Sequence, residues 1–162
     1  MAVPNTMRRI LLAAIPDCKP QPSNFRIEEA ATPGCPPDGL LVRTVWLSVD
    51  PYLRGRITGK RTYVDPIPVG DVMVSGAVGE VVESQSPRFS AGDFVSGMWG
   101  WQDYAGVPAK GVLKLDPSQA PVSTPLFDVN WHASCSCLPV QASMAACGGV
   151  PPFEGWACFA SC

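Results

Sequence analysis

The absence of helical periodicity limits the fold of this chain more than any other feature. No stretch of ten or more residues repeats its apolar side chains with the period of about 3.6 residues that marks an amphipathic helix. Short runs rich in apolar and β-branched residues alternate instead with turns rich in Pro, Gly, Asn and Asp. The strand-like runs are residues 8–14, 25–31, 40–49, 72–82, 94–97, 101–107 and 112–116. Many short strands with regular turns predict a mainly β, barrel-like module.

The distribution of charge divides the chain into two segments. All 12 Lys and Arg lie at or before Lys114, and only two of the 14 acidic residues, Asp128 and Glu154, follow Asp116. The same C-terminal stretch holds five of the seven cysteines, which are Cys135, Cys137, Cys147, Cys158 and Cys162. A composition change this abrupt indicates a boundary. We predict a β domain over residues 1–120 and a divergent Cys-rich tail over 121–162, whose order the sequence leaves open.

Charge and hydropathy exclude two classes of partner. The net charge of −2 and the pI near 5.3 give no electrostatic reason to expect a nucleic-acid partner. The apolar run at residues 10–15 follows Arg8 and Arg9 but ends at Pro16, so it is too short for a signal peptide or a membrane span. We therefore expect a soluble, cytoplasmic protein without a membrane partner.

Three motifs in fixed order make the sequence specific. Residues 45–57 read VWLSVDPYLRGRI, in which a β-rich run stops at Asp50-Pro51 and Tyr52 follows on a tight basic corner. Residues 69–84 then read VGDVMVSGAVGEVVES, and residues 91–97 read AGDFVSG. Together with RRILLAA at the start and GWQDY at 100–104, this order resembles the medium-chain dehydrogenase/reductase superfamily. Within it, the chain is most similar to the zinc-free branch of prostaglandin reductases, plant alkenal/alkenone double-bond reductases and bacterial curcumin reductases.

The resemblance implies a fold and an activity. It implies that the first segment is a GroES-like, partly open β-barrel, the N-terminal catalytic domain of such a reductase. It also implies reduction of the activated C=C bond of a small enone or enal with NADPH, in a protein that can form a homo-oligomer at full length. The resemblance assigns most NADPH contacts to a separate Rossmann domain beginning soon after Thr124, so no cofactor-binding residue is predicted here.

The resemblance also bears on zinc. Where zinc-dependent relatives place a ligand cysteine, this chain has Val49-Asp50, and near Gly70, where they place a ligand histidine, it has Asp71. The only histidine, His132, lies in the tail. Since a catalytic zinc needs three protein ligands, we expect no zinc and predict no metal-binding residue.

Tyr52 is the predicted catalytic residue. In the functional interpretation it faces the substrate cleft and hydrogen-bonds the substrate carbonyl or the nicotinamide region; in the alternative, its ring packs at a strand end with the hydroxyl in water. Trp99, Trp101 and Tyr104 are predicted, with Tyr52, to line an apolar substrate pocket, and core or rim packing is their alternative. Asp50 is expected to cap the turn that follows it.

Two neighbouring features have structural explanations that we prefer. Arg54, Arg56, Lys60 and Arg61 form a basic cluster, for which a solvated loop is preferred to a phosphate contact. The glycine-rich run 70–79 does not open a helix with the spacing of a phosphate loop, so barrel geometry explains its glycines better.

The tail departs from the family pattern. Its cysteines, spaced C-x-C-x9-C-x10-C-x3-C, lack the paired C-x2-C spacing of structural zinc sites, and a disulfide framework lacks a secretion signal. We hypothesise that a frameshift, a retained intron or a wrongly assigned exon replaced the Rossmann domain. The truncated chain would then have little or no reductase activity alone. The alternatives are a non-catalytic binding or subunit-pairing module and, more remotely, a metal or redox protein that uses the tail cysteines.

Overall fold

The computed structural model describes residues 3–62, 64–126 and the backbone of 136–139. This part of the chain is mainly β, as predicted. Its strands are β1 (Thr6–Leu12), β2 (Phe25–Ala31), β3 (Gly39–Val49), β4 (Gly76–Ser84), β5 (Phe94–Met98), β6 (Tyr104–Pro108), β7 (Leu113–Leu115) and β8 (Ser136–Pro139). The helices are α1 (Leu53–Arg56) and two 3-10 turns, Pro22–Asn24 and Thr124–Leu126.

The strands form an antiparallel ribbon and a larger antiparallel sheet. β1 pairs with β2, and the larger sheet has the order β6-β3-β4-β5-β7, with β8 paired to the end of β3. Backbone hydrogen bonds connect β1 to the larger sheet: Ile10 N–H donates to Trp101 O, and Met73 N–H donates to Ile10 O, both at 2.9 Å. Within the described residues the path of the sheet does not close on itself. The predicted partly open, GroES-like barrel is therefore confirmed.

Strand β3 changes the face that it turns to the core halfway along its length. Leu40 and Val42 enter the core cluster from the first half, and Leu47 and Val49 enter it from the second half. The pairing with β4 shifts register between Leu41/Val42 and again between Thr44/Trp46. The first shift places an extra residue, Val82, on β4, and the second places an extra residue, Val45, on β3, so only the second offsets the alternation along β3 by one residue. Regular alternation would place Leu41, Val45, Leu47 and Val49 on one face, and the structure departs from that pattern in the first half of the strand.

The core forms one cluster to which all the long strands and α1 contribute. Its fully buried members include Ile10, Leu12, Leu40, Leu47, Leu53, Ile57, Met73 and Val95. Removing each such side chain from water stabilises the fold by about 1.5–3 kcal/mol, less the entropy lost in ordering it. Leu53 and Ile57 bring α1 into this cluster, and so the core fixes the corner that carries Tyr52.

Close approach of β3 and β4 explains one glycine of the run 70–79. A Cβ atom added at Gly79 would lie 2.4 Å from Val42 Cγ1 and 2.5 Å from the carbonyl oxygen of Arg43. Only glycine fits there without displacing backbone. This contact supports barrel geometry as the reason for the glycine.

Among the described residues, no helix has both the length and the apolar character needed to cross a membrane.

Candidate functional site

The candidate site is the corner between β3 and α1. The strand ends at Val49, and Pro51 fixes the backbone for a turn. Leu53 N–H donates to Asp50 O at 3.1 Å, and Gly55 N–H donates to Tyr52 O at 3.0 Å. Asp50 thus contributes its backbone carbonyl to this turn, while Tyr52 occupies the N-cap position of α1, with no hydrogen bond from its side chain to the helix.

Tyr52 lies at the margin of the core. Its side chain is half-buried and packs against the core cluster. The next residue, Leu53, is fully buried, and a hydrogen bond of 2.7 Å from Ile67 N–H to Arg56 O holds the other end of α1. The tyrosine is therefore carried on a turn anchored at both ends. A side chain held in this way is suited to positioning a hydrogen-bonding group.

The basic cluster that follows Tyr52 separates into different environments. Arg61 forms an ion pair with Asp65 at 3.0 Å, and both side chains are more than three-quarters exposed. Arg54 instead donates a hydrogen bond to the backbone carbonyl of Cys18. The solvated-loop interpretation describes Arg61, whereas Arg54 attaches α1 to the loop after β1.

Unpaired buried polar atoms are concentrated at the same corner. Among the described residues, three buried side-chain atoms have no hydrogen-bond partner: Ser48 Oγ, Arg54 Nη1 and Arg56 Nε. All three belong to residues within four positions of Tyr52 in the sequence. Buried polar groups are nearly always paired, so a concentration of exceptions calls for a physical explanation. Sequence reasoning missed Ser48 because a serine near the end of a strand carries no pattern of its own.

The two predicted pocket tryptophans are buried in the core. Trp99 Nε1 donates to Thr44 Oγ1 at 3.0 Å, and Trp101 Nε1 donates to Ser75 Oγ at 2.9 Å. The ring of Trp101 also lies against Phe25, with a centroid separation of 6.1 Å. This is the packing alternative given for these residues above. Their contact with a substrate stays a prediction.

Tyr104 lies in a different environment from the tryptophans. It is half-buried on β6, where its neighbour Ala105 enters the core cluster. It lines a surface pocket of about 180 Å³ together with Arg43 and Glu80, whose side chains form an ion pair at 2.6 Å. Pockets for drug-sized ligands are usually larger, from about 300 Å³ upward. The structure therefore brings Tyr52, Trp99 and Trp101 to one core cluster. Tyr104 lies outside that cluster, in the surface pocket beside Arg43 and Glu80.

The described residues do not fit the phosphates of a dinucleotide. Such phosphates are usually held by N–H groups of a glycine-rich turn that opens a helix. The only α-helix in the described part of the chain is the four-residue α1, and the first N–H groups of that helix are used within its turn.

No group of three or more Cys, His, Asp or Glu side chains in the described ranges could hold a metal ion. His132 and the five tail cysteines lie outside the described side chains. The expected absence of zinc thus stays a prediction.

Comparison with known proteins identifies the family. Residues 8–115 match the family model of the N-terminal domain of oxidoreductase. The chain is 48% identical over 111 residues to the NADPH-dependent curcumin reductase of Escherichia coli, which covers 67% of this chain and 31% of that protein. It is 31% identical over 109 residues to the 2-alkenal reductase (NADP(+)-dependent) of Nicotiana tabacum, covering 64% and 32% of the two chains.

Solved structures agree with the sequence relatives. CurA from Vibrio vulnificus is 36% identical and superposes with a TM-score of 0.68, covering 74% of this chain and 35% of that chain. CurA in complex with NADPH superposes with a TM-score of 0.65, covering 72% and 35%. This chain therefore spans about a third of the length of the relatives it matches.

The match over residues 8–115 and the partly open antiparallel barrel identify this segment as the N-terminal domain of an oxidoreductase, and the chain belongs to that family. Within the family, its relatives are the NADPH-dependent curcumin and alkenal reductases of the medium-chain superfamily, as the motifs predicted.

Proposed function

We propose that this chain derives from an NADPH-dependent reductase of activated C=C bonds and forms the substrate-side domain of such an enzyme. The observation that carries this proposal is the 48% identity to the curcumin reductase over 111 residues. The substrate class is a small enone or enal. We further propose that these 162 residues do not sustain the reaction alone, because the described residues lack a cradle for the cofactor phosphates.

In this proposal Tyr52 acts on the carbonyl oxygen of the substrate. Its phenol donates a hydrogen bond to that oxygen, on which negative charge develops as the β-carbon accepts hydride. A donor positioned at a developing oxyanion stabilises the transition state more than the ground state. The enolate then takes a proton from solvent water at its α-carbon. NADPH supplies the hydride when it is bound. The half-buried position of Tyr52 on an anchored turn supports this role.

The proposal is tested with the chain and with a chimera. The chimera carries residues 8–115 in place of the matching N-terminal part of the curcumin reductase. NADPH consumption is followed by absorbance with a simple enone as substrate. We expect no consumption by the 162-residue chain and measurable consumption by the chimera.

Tyr52→Phe in the chimera should lower kcat by about 100-fold, the usual effect of losing one oxyanion donor. Arg61→Gln, in the exposed ion pair, is the matched control and should leave kcat unchanged. A folded chimera without activity would refute the proposal that this chain derives from a reductase of activated C=C bonds. An unchanged kcat in Tyr52→Phe would refute the role of the tyrosine alone.

A subunit-pairing module is the second candidate function. Met98 and Leu113, on the adjacent strands β5 and β7, expose 59% and 62% of their surface. Exposed apolar groups at the end of a sheet favour a covering partner. This candidate would gain if the chain bound an intact reductase subunit while consuming no NADPH.

A further inference from the structure

Strand β8, from the tail, pairs with β3, the strand that leads into the candidate site. β8 pairs antiparallel with the end of β3, with Ser136 opposite Val49 and Pro139 opposite Trp46. These tail residues lie outside the segment 8–115 that matches the family model. The pairing therefore comes from a part of the chain outside that match.

The register shows which edge of β3 is covered. On one side β4 pairs with β3 from Leu40 to Leu47. On the other side β6 pairs only as far as Arg43. Because Trp46 and Leu47 already pair with β4, β8 must lie on the edge that β6 leaves uncovered. Without β8, the backbone groups of Trp46–Val49 on this edge would have no strand partner.

This edge would be prone to pairing with another chain. The segment is mostly apolar and carries no charged side chain, and its residues Leu47, Ser48 and Val49 are buried. An uncovered apolar edge is a template for pairing with another strand. β8 covers it with four residues and ends at Pro139, which has no N–H group to offer a further strand.

We propose that the Trp46–Val49 edge of β3 is a strand-docking surface and that residues Ser136–Pro139 of the same chain occupy it as an intramolecular cap. The cap keeps the edge from pairing with a second copy of the chain. It also holds the end of β3, and with it the turn that carries Tyr52. This inference does not depend on the reductase activity proposed above.

The full 162-residue protein tests the pairing directly. In an antiparallel ladder, neighbouring residue pairs alternate between wide and narrow, and the Cα atoms of a narrow pair are only about 4.5 Å apart. One of the two pairs Leu47–Leu138 and Ser48–Cys137 should therefore give a strong Hα–Hα contact in a nuclear Overhauser spectrum. If neither pair gives the contact, the proposal is overturned without any variant.

A proline variant tests the consequence. The double substitution Cys137→Pro and Leu138→Pro removes whichever of the two N–H groups donates to β3, since neighbouring amides point to opposite sides. Ala142→Pro with Ser143→Pro, elsewhere in the tail, is the matched control. Amide hydrogen exchange reports the edge of β3, and sedimentation reports association.

We expect the β8 variant to speed exchange of the protected amides in Trp46–Val49 by about tenfold, the effect of losing one hydrogen bond of about 1.4 kcal/mol. We also expect the variant to self-associate as its concentration rises. Exchange at Ile10 and Met73 monitors the rest of the fold and should not change. Unchanged exchange at Trp46–Val49, or an equal effect in the control, would overturn the proposal.

Discussion

The indole of Trp101 donates a hydrogen bond of 2.9 Å to Ser75 Oγ, and both residues are almost completely buried. The serine hydroxyl in turn donates to the carbonyl of Gly76 at 3.1 Å. The bond joins the end of one turn to the start of β4 across 26 residues of sequence. Trp101 therefore stabilises the barrel whether or not its ring contacts a ligand.

Trp101→Phe should destabilise the protein by about 2 kcal/mol. The substitution removes a buried hydrogen bond and leaves part of the indole volume empty. Urea unfolding followed by circular dichroism measures the change. Tyr104→Phe is the matched control from the same predicted pocket, and it should stay within about 0.5 kcal/mol because Tyr104 is only half-buried and lies outside the core cluster. Equal stability of Trp101→Phe and wild type would contradict the core role of the indole.

The contrast between these two residues illustrates how far the sequence could predict the site. The turn after β3 was predictable because Pro51 and the apolar residues on either side of it act locally. The partners of Trp99 and Trp101 were not, since Thr44 and Ser75 are distant in sequence and carry no periodic signal. Contacts between residues this far apart in sequence depend on how the strands pair in the folded protein.

The strands show the same limit. The predicted runs place most of β1 to β7 within a few residues, because alternation and turn residues are local signals. The face of β3 could not be predicted, because the bulge at Val45 that inverts it depends on the register with β4. Whether the barrel closes likewise depends on which strands pair with each other, and the sequence of a single strand does not reveal its partners.

Gly100→Ala should destabilise the fold by about 3 kcal/mol or more. Gly100 has a φ of +82°, and an added Cβ would lie 2.1 Å from the carbonyl oxygen of Met73. The left-handed conformation alone costs a non-glycine residue about 1–2 kcal/mol, and the clash with backbone adds to it. Thermal unfolding would give the loss.

Gly92→Ala separates these two costs. Its φ is +93°, and no atom lies within 4 Å of the added Cβ. The expected loss is only the conformational part, about 1–2 kcal/mol. If the two alanine variants unfold at the same temperature, the contact with Met73 does not add to the destabilisation of Gly100→Ala.

Asp93 should make the stability of the protein depend on pH below neutrality. The hydrogen bond from Lys114, at 2.6 Å, and the one from Ser90 N–H, at 2.8 Å, hold the pKa of Asp93 below its ordinary value of 3.8. A lowered pKa in the folded state stabilises the fold above the unfolded value, and this contribution is lost as the pH falls through the folded value. Asp93→Asn should therefore cost about 1 kcal/mol at pH 7.

The stability difference between Asp93→Asn and wild type should begin to shrink as the pH falls below about 4, where the carboxyl group of the unfolded chain becomes protonated first. It should be lost at lower pH, where the folded carboxyl group is protonated as well. Urea unfolding between pH 7 and pH 2.5 measures it. Asp65→Asn, in the exposed ion pair with Arg61, is the control, and it should change stability by less than about 0.5 kcal/mol. A difference for Asp93→Asn that stays constant with pH would contradict the linkage.

Ser48 and Ser75 are buried serines that should respond in opposite directions to replacement by alanine. Ser75 Oγ accepts from Trp101 and donates to Gly76 O, so Ser75→Ala leaves the buried indole N–H of Trp101 without its partner and should cost about 1–3 kcal/mol. Ser48 Oγ has no hydrogen-bond partner. Ser48→Ala removes a buried group that has lost its water without gaining a bond, so it should be neutral or stabilise the chain by up to about 1 kcal/mol.

Urea unfolding of both variants measures the contrast. A loss of more than 1 kcal/mol in Ser48→Ala would mean that its hydroxyl is paired in solution. In that case the concentration of unpaired atoms beside Tyr52 would no longer distinguish this corner from the rest of the barrel.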